Sequence, residues 1–223
     1  AKYALGSGLG HVLLHQTING NEAILQMEQA GDYPDIIVGC TGGGSNLAGL
    51  MFPFLGQQLR GGQKIDIIGC EPLSCPSFTK GKYAYDHGDM ARMTPLIKMH
   101  TLGSDFLPPA NHSGGLRYHG MSYHLSHLYD LGLMRAKAYG QKDCFEAGVI
   151  FGKQEGIIPA PEGNHAVKGA IDAALECKEK GESKTILFNL CGHGHFDMTA
   201  YDDYFNGRLA DDFYDESSVN QSL

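Results

Sequence analysis

One run constrains the fold of this chain more than any other: Asp35-Ile-Ile-Val-Gly-Cys-Thr-Gly-Gly-Gly-Ser-Asn-Leu-Ala-Gly49. An apolar stretch enters three consecutive glycines, then Ser45 and Asn46, then a segment with helical periodicity. That order is how a backbone closes around an anion. Glycine lets the chain turn tightly and come close without a Cβ in the way. The helix start presents free N–H groups and the positive end of its dipole. Ser45 and Asn46 add side-chain donors. The spacing is neither G-x-G-x-x-G nor G-x-x-x-x-G-K-[ST], which points to a small phosphorylated ligand, such as a cofactor phosphate, held mostly by main chain. A glycine-rich strand-to-helix turn without a ligand is the other reading of the same residues.

The remaining periodicities predict a helix over 19–30, buried strands over 35–40 and 65–70, and a helix over 45–59. Residues 72–118 read as irregular and rich in Gly, Pro, His and Ser, a length that is usually functional inside a compact domain. Beyond them come a helix over 119–131, a strand over 133–139, and helices over 141–155 and 165–180, each stopped by glycine. A strand over 185–190 runs into Cys191-Gly-His-Gly, and the tail after Gly207 is acidic and expected to fray. Continuous apolar strands alternating with helices imply an α/β fold: a parallel twisted sheet with helices on both faces. Ligands bind at the carboxyl ends of such strands, so the loops 41–46, 71–75 and 191–195 should cluster on one edge.

Composition narrows the partners. The 223 residues are 42% hydrophobic and 19% charged, with a net charge of −8, enough for a sizeable core. No Lys/Arg block is present, which argues against nucleic acid and anionic membranes. No apolar run approaches the roughly 20 residues that span a bilayer, and residues 1–10 lack a signal-peptide pattern. Six cysteines without a C-x-x-C pair fit reduced, buried thiols and a cytoplasmic location.

Two further segments carry chemistry. In Glu155-Gly-Ile-Ile-Pro-Ala-Pro-Glu-Gly-Asn-His165, Glu162 precedes a helix; it is either an acid favoured by the helix dipole or a carboxylate facing a ligand site. In Asn189-Leu-Cys-Gly-His-Gly-His-Phe-Asp197, the His-x-His-x-Asp array invites a metal, whereas Gly192 and Gly194 favour turn residues beside a pocket.

Together these segments resemble the tryptophan synthase β chain family, fold-type-II enzymes dependent on pyridoxal phosphate, and within it the second, longer group. The resemblance also covers Tyr3-Ala-Leu-Gly-Ser7, His11-Val-Leu-Leu-His-Gln-Thr17, His100-Thr-Leu-Gly-Ser-Asp-Phe106 and Gly114-Gly-Leu-Arg-Tyr-His-Gly120, in family order along nearly the whole chain. It implies that Gly42, Gly43, Gly44, Ser45 and Asn46 bind the cofactor phosphate, with Ser7 as a further hydroxyl. It implies that Glu162 assists β-elimination and indole addition and that Asp105 closes over the substrate. Cys191 stands where the family carries the serine that hydrogen-bonds the pyridine nitrogen, and a thiol is a weaker partner. Carbonyls near Thr41, Ser104 and Phe106 match a monovalent-cation site for Na+ or K+. Arg117 is placed to meet a phosphorylated serine, or else to form a structural salt bridge.

The family's Schiff-base lysine, in a His-Lys-x-Asn context, has no match here. The chain is therefore expected to be the C-terminal half of the enzyme: residues 1–20 a return segment from a mostly missing N-terminal domain, 21–207 the cofactor domain, 208–223 an acidic tail. The implied reaction joins L-serine or phosphoserine to indole, giving L-tryptophan, in a homodimer that can carry an α subunit; the isolated half is expected to be inactive. Two other readings are a different pyridoxal-phosphate-dependent β-replacement or β-elimination enzyme, and a non-catalytic half that pairs with a separately encoded N-terminal chain.

Overall fold

The computed structural model describes residues 7–211, 213 and 214. Most of the expected acidic tail and the first six residues lie outside them. The central sheet has four parallel strands in the order β5-β2-β1-β6: β1 (Ile36–Cys40), β2 (Asp66–Pro72), β5 (Arg135–Tyr139) and β6 (Ile186–Phe188). β1 is fully buried and lies between β2 and β6, with Val38 beside Ile68 on one side and Phe188 on the other. Period-two alternation divides its side chains. Ile37 joins the core with Leu47, Met51, Phe54 and Ile67, whereas Ile36 and Val38 face Ile68, Cys144, Ala173 and Cys177. The first layer is covered by α1 (Gly10–Ala30), α2 (Ser45–Leu59) and α3 (Tyr123–Asp130), the second by α4 (Gln141–Glu155) and α5 (Pro161–Lys180). The expected parallel sheet with helices on both faces is therefore present.

Strand order creates the crevice. The chain runs outward from β1 to β2 to β5, then returns to place β6 on the other side of β1. That reversal leaves a gap above the carboxyl ends of β1 and β6, the place where ligands enter such sheets. Residues 41–44 follow β1 and residues 189–192 follow β6 at that edge.

Several boundaries differ from the sequence expectation. Helix α1 starts at Gly10, not at position 19. Asn19, Gly20 and Asn21 look like a helix start, but Gly20 is there for a close crossing. A Cβ on it would lie 2.4 Å from the Leu50 carbonyl oxygen and 2.8 Å from Pro53 Cδ of α2. The stretch 72–118 is not irregular throughout: β3 (Lys82–Asp86) and β4 (Ile97–Thr101) form an antiparallel pair, and Gly114–Leu116 make a 3-10 turn. Helix α5 begins at Pro161, with Pro at the first position where its missing N–H costs nothing, so Glu162 lies inside its first turn. Strand β6 is only three residues long, and a sixth helix, α6 (Met198–Phe205), follows it. Among the described residues no helix is long and apolar enough to cross a membrane.

Candidate active site

The glycine loop is assembled from three directions, and each glycine is fixed by a different neighbour. Gly44 caps α2 with φ +93, and a Cβ there would lie 2.3 Å from Leu125 Cδ1 of α3. At Gly43 the would-be Cβ meets Ser7 Oγ at 2.2 Å, and at Gly42 it meets the Gly115 carbonyl oxygen at 2.6 Å. Ser122 N–H donates to the Gly43 carbonyl at 3.0 Å, tying the loop to the start of α3. Ser7 and the turn around Gly115 thus flank the loop that the sequence singled out.

Among the described residues, no acceptor takes the N–H groups of Gly42, Gly43, Gly44, Ser45, Asn46 or Leu47. The first satisfied donor of α2 is Ala48, bonded to the Gly44 carbonyl at 3.0 Å. The Thr41 hydroxyl, just after β1, is buried and has no hydrogen-bond partner among the described residues. A polyoxygen anion would meet those donors, and the buried hydroxyl adds another polar group at the same strand end. The residues present fit a cofactor phosphate.

Glu162 is half-buried in the first turn of α5, and its Oε1 accepts the Gly115 N–H at 2.9 Å. Since Gly115 lies on Gly42, the carboxylate sits at the rim of the glycine loop. Cys40 Sγ and Cys191 Sγ are 3.5 Å apart. Asn46 Oδ1 accepts the Asn189 side-chain amide at 3.0 Å and lies 4.0 Å from Cys40 Sγ. The fully buried Cys40 keeps its proton, and its pKa is raised by the contact with Cys191 and by burial. The half-buried Cys191 is held lower by the hydrogen bond from Cys40, against the opposing effects of burial and of the Glu162 charge. The resemblance matches Cys191 to the position beside the cofactor's pyridine nitrogen; its contact with Cys40, and the bond from Asn189 to Asn46, depend on β6 lying beside β1.

The other expected positions are distributed differently. Ser104 and Phe106 are buried, with Phe106 N–H bonded to the Gly103 carbonyl at 3.0 Å. Asp105 between them is on the surface, paired with Arg92 at 2.7 Å. Arg117 is exposed and donates to the Pro108 carbonyl at 2.6 Å, so its partner is a carbonyl, not the carboxylate of a salt bridge. In the His-x-His-x-Asp array, the turn around Gly192 and Gly194 is braced against 158–160 by the bonds from Ala160 N–H to Gly192 O and from Gly194 N–H to Ile158 O. Among the described residues no cluster of three or more His, Cys, Asp or Glu is arranged to hold a metal.

Comparison with known proteins gives the family and the fold. The tryptophan synthase beta chain 2 of Aquifex aeolicus is 58% identical over 213 residues, covering 94% of this chain and 49% of that protein. The tryptophan synthase beta chain of Pyrococcus horikoshii is 51% identical over all 223 residues, 48% of its length. The chain spans about half the length of the curated relatives it matches. Among solved structures, a fungal L-serine ammonia-lyase from Rhizomucor miehei superposes with a TM-score of 0.66 at 15% identity, covering 93% of this chain and 60% of that one. That likeness concerns the fold alone. The family model for pyridoxal-phosphate dependent enzymes matches residues 12–192, from the first turn of α1 to just beyond Cys191, and the chain belongs to that family.

Proposed function

We propose that this chain forms the phosphate-binding part of a tryptophan synthase β-type lyase, which joins indole to the β-carbon of L-serine or phosphoserine. The observation that carries this reading is the glycine loop at the sheet's carboxyl edge, where among the described residues no acceptor takes the N–H groups of residues 42–47, with the Glu162–Gly115 bond and the Cys40–Cys191 contact adjoining it. The chemistry that pyridoxal phosphate supplies when bound is electron withdrawal from the α-carbon of an amino acid.

The protein's own groups have separate tasks. The N–H groups of residues 42–47 and the Ser7 and Ser45 hydroxyls hold the phosphate. Asn46, fixed by Asn189, keeps the start of α2 in register with the end of β6. The Cys191 thiol would serve the cofactor's ring nitrogen as a weak partner, which would suit a ring left unprotonated. Glu162 Oε2, free of the bond that Oε1 makes to Gly115, moves the proton needed to release the β-substituent. Asp105 exchanges its surface partner Arg92 for the substrate as the site closes. Arg117 contributes to a phosphorylated substrate only after leaving the Pro108 carbonyl. Carbonyls of Thr41, Ser104 and Phe106 accept a monovalent cation. The amine that binds the cofactor covalently comes from a lysine outside these 223 residues. We place the working protein in the cytoplasm as a homodimer, able to take an α subunit.

The test is made on the protein expressed from its whole reading frame. Intact mass, absorbance in the Schiff-base band before and after borohydride, and tryptophan formed from serine and indole are measured together. A reducible, covalently held cofactor with tryptophan formation supports the reading. A protein that takes up no pyridoxal phosphate, or takes it up and turns over neither serine nor phosphoserine with indole, overturns it.

A further inference from the structure

Six cysteines lie in this chain, and one pair stands out by position. Cys40 is the last residue of β1, the strand fixed on both sides by its neighbours. Cys191 follows β6 across the topological crevice, immediately before Gly192, and is half-buried where the other five are buried. Their sulfurs are 3.5 Å apart, while a disulfide needs about 2.05 Å. The missing distance is within reach of a loop residue beside a glycine, with Cys40 held still. Of the remaining thiols, Cys75 is engaged with the Tyr118 carbonyl at 3.1 Å, and Cys70, Cys144 and Cys177 are buried in the sheet and helix core.

We propose that Cys191 and Cys40 form a peroxide-sensitive dithiol, a modification site at the floor of the glycine loop in which Cys191 is attacked first and Cys40 resolves it. The deprotonated Cys191 sulfur attacks one oxygen of hydrogen peroxide, the O–O bond breaks, and hydroxide leaves. The product at Cys191 is a sulfenic acid. Cys40 then gives its thiol proton to the departing hydroxyl as its sulfur attacks the Cys191 sulfur; the S–O bond breaks, water leaves and the S–S bond forms. In total two thiols and one peroxide give one disulfide and two waters. The division of labour follows from access: the half-buried sulfur meets the small neutral oxidant, and the buried one lies in contact behind it.

The linkage is read from the polypeptide itself. Protein expressed from its whole reading frame is treated with hydrogen peroxide, alkylated and digested without reduction, both as purified and after hydroxylamine has stripped any aldehyde cofactor. The expected result, in either preparation, is a peptide pair joining Cys40 to Cys191, lighter by two hydrogens than its parts, with two thiols lost per chain and regained with dithiothreitol. In Cys40→Ser the same dose leaves Cys191 as a sulfenic acid that dimedone captures. In Cys191→Ser, which carries the residue the related family has there, no linkage forms and Cys40 remains a thiol. Alkylation of both residues after peroxide in both preparations overturns the proposal. So does pairing that involves a different cysteine, or a Cys191 sulfinic acid without linkage. Should Cys40→Ser fail to fold, the native linkage and the Cys191→Ser result still decide.

Discussion

The main-chain N–H of Gly115 donates to Glu162 Oε1 at 2.9 Å, across 47 residues of sequence. This bond joins the first turn of α5 to the turn that lies on Gly42, and so fixes a carboxylate at the rim of the glycine loop. It also divides the side chain: Oε1 holds the turn, while Oε2 takes no part in that bond and is the atom to which the proposed proton transfer falls.

Glu162→Gln tests that separation. The amide oxygen can still accept from Gly115, so the folded protein is expected within about 0.5 kcal/mol of the parent. Its β-replacement rate is expected to fall by roughly 10²–10⁴, the contribution of a positioned acid or base. Thermal unfolding and kcat with serine and indole are measured side by side. A Gln variant that turns over at the parent rate removes Glu162 from the proton transfer.

Gly44→Ala should damage the loop through two independent causes. Its φ of +93 lies where side chains are strained, at a cost of about 1–2 kcal/mol. The added Cβ also meets Leu125 Cδ1 at 2.3 Å. Reduced stability together with weakened pyridoxal-phosphate uptake, followed by absorbance titration, is the expected outcome. Uptake equal to the parent's would mean that the start of α2 is not part of the phosphate site.

Gly20→Ala separates packing from binding. Here the new Cβ would lie 2.4 Å from the Leu50 carbonyl oxygen, and backbone cannot swing aside as a side chain can. Helices α1 and α2 must move apart, at about 1–3 kcal/mol. Urea unfolding should show this loss, and an unchanged midpoint would show that the crossing is looser than described.

The parts legible in the sequence are those whose signals are local. The β1–loop–α2 unit follows from an apolar run, three glycines and a helical period, and α2 and α4 match their expected bounds to the residue. What was missed depends on distant partners. Gly20 reads as part of a helix start until α2 is beside it. Lys82–Asp86 is short and half-polar, and becomes a strand only by pairing with Ile97–Thr101. The Cys40–Cys191 contact needs β6 to return beside β1, and strand order is not written in any local pattern. Glu71 lay unnoticed at the end of an apolar strand, because nothing near it signals that Phe78 and Thr79 fold back onto its carboxylate.

Glu71 and His165 should produce opposite pH dependences of stability. Glu71 is fully buried and accepts Phe78 N–H, Thr79 N–H and the Thr79 hydroxyl. Burial outweighs these bonds and pushes its pKa from 4.5 up to about 7. Between those values the native state holds a proton that the unfolded chain has released, so the contribution of Glu71 falls as pH rises. His165 is buried in α5 with Nδ1 bonded to the Pro161 carbonyl at 3.0 Å, and burial lowers its pKa from 6.5 to about 4. There the unfolded chain binds the extra proton, so the contribution of His165 rises with pH. Over the shared window the two nearly cancel, and single variants should expose them. Relative to the parent, Glu71→Gln should gain stability with rising pH by up to about 1.4 kcal/mol per unit, and His165→Gln should lose it at a similar rate. Urea unfolding at half-unit intervals from pH 4.5 to 6.5 measures both differences. Two variant curves parallel to the parent's would show that neither group changes protonation on folding.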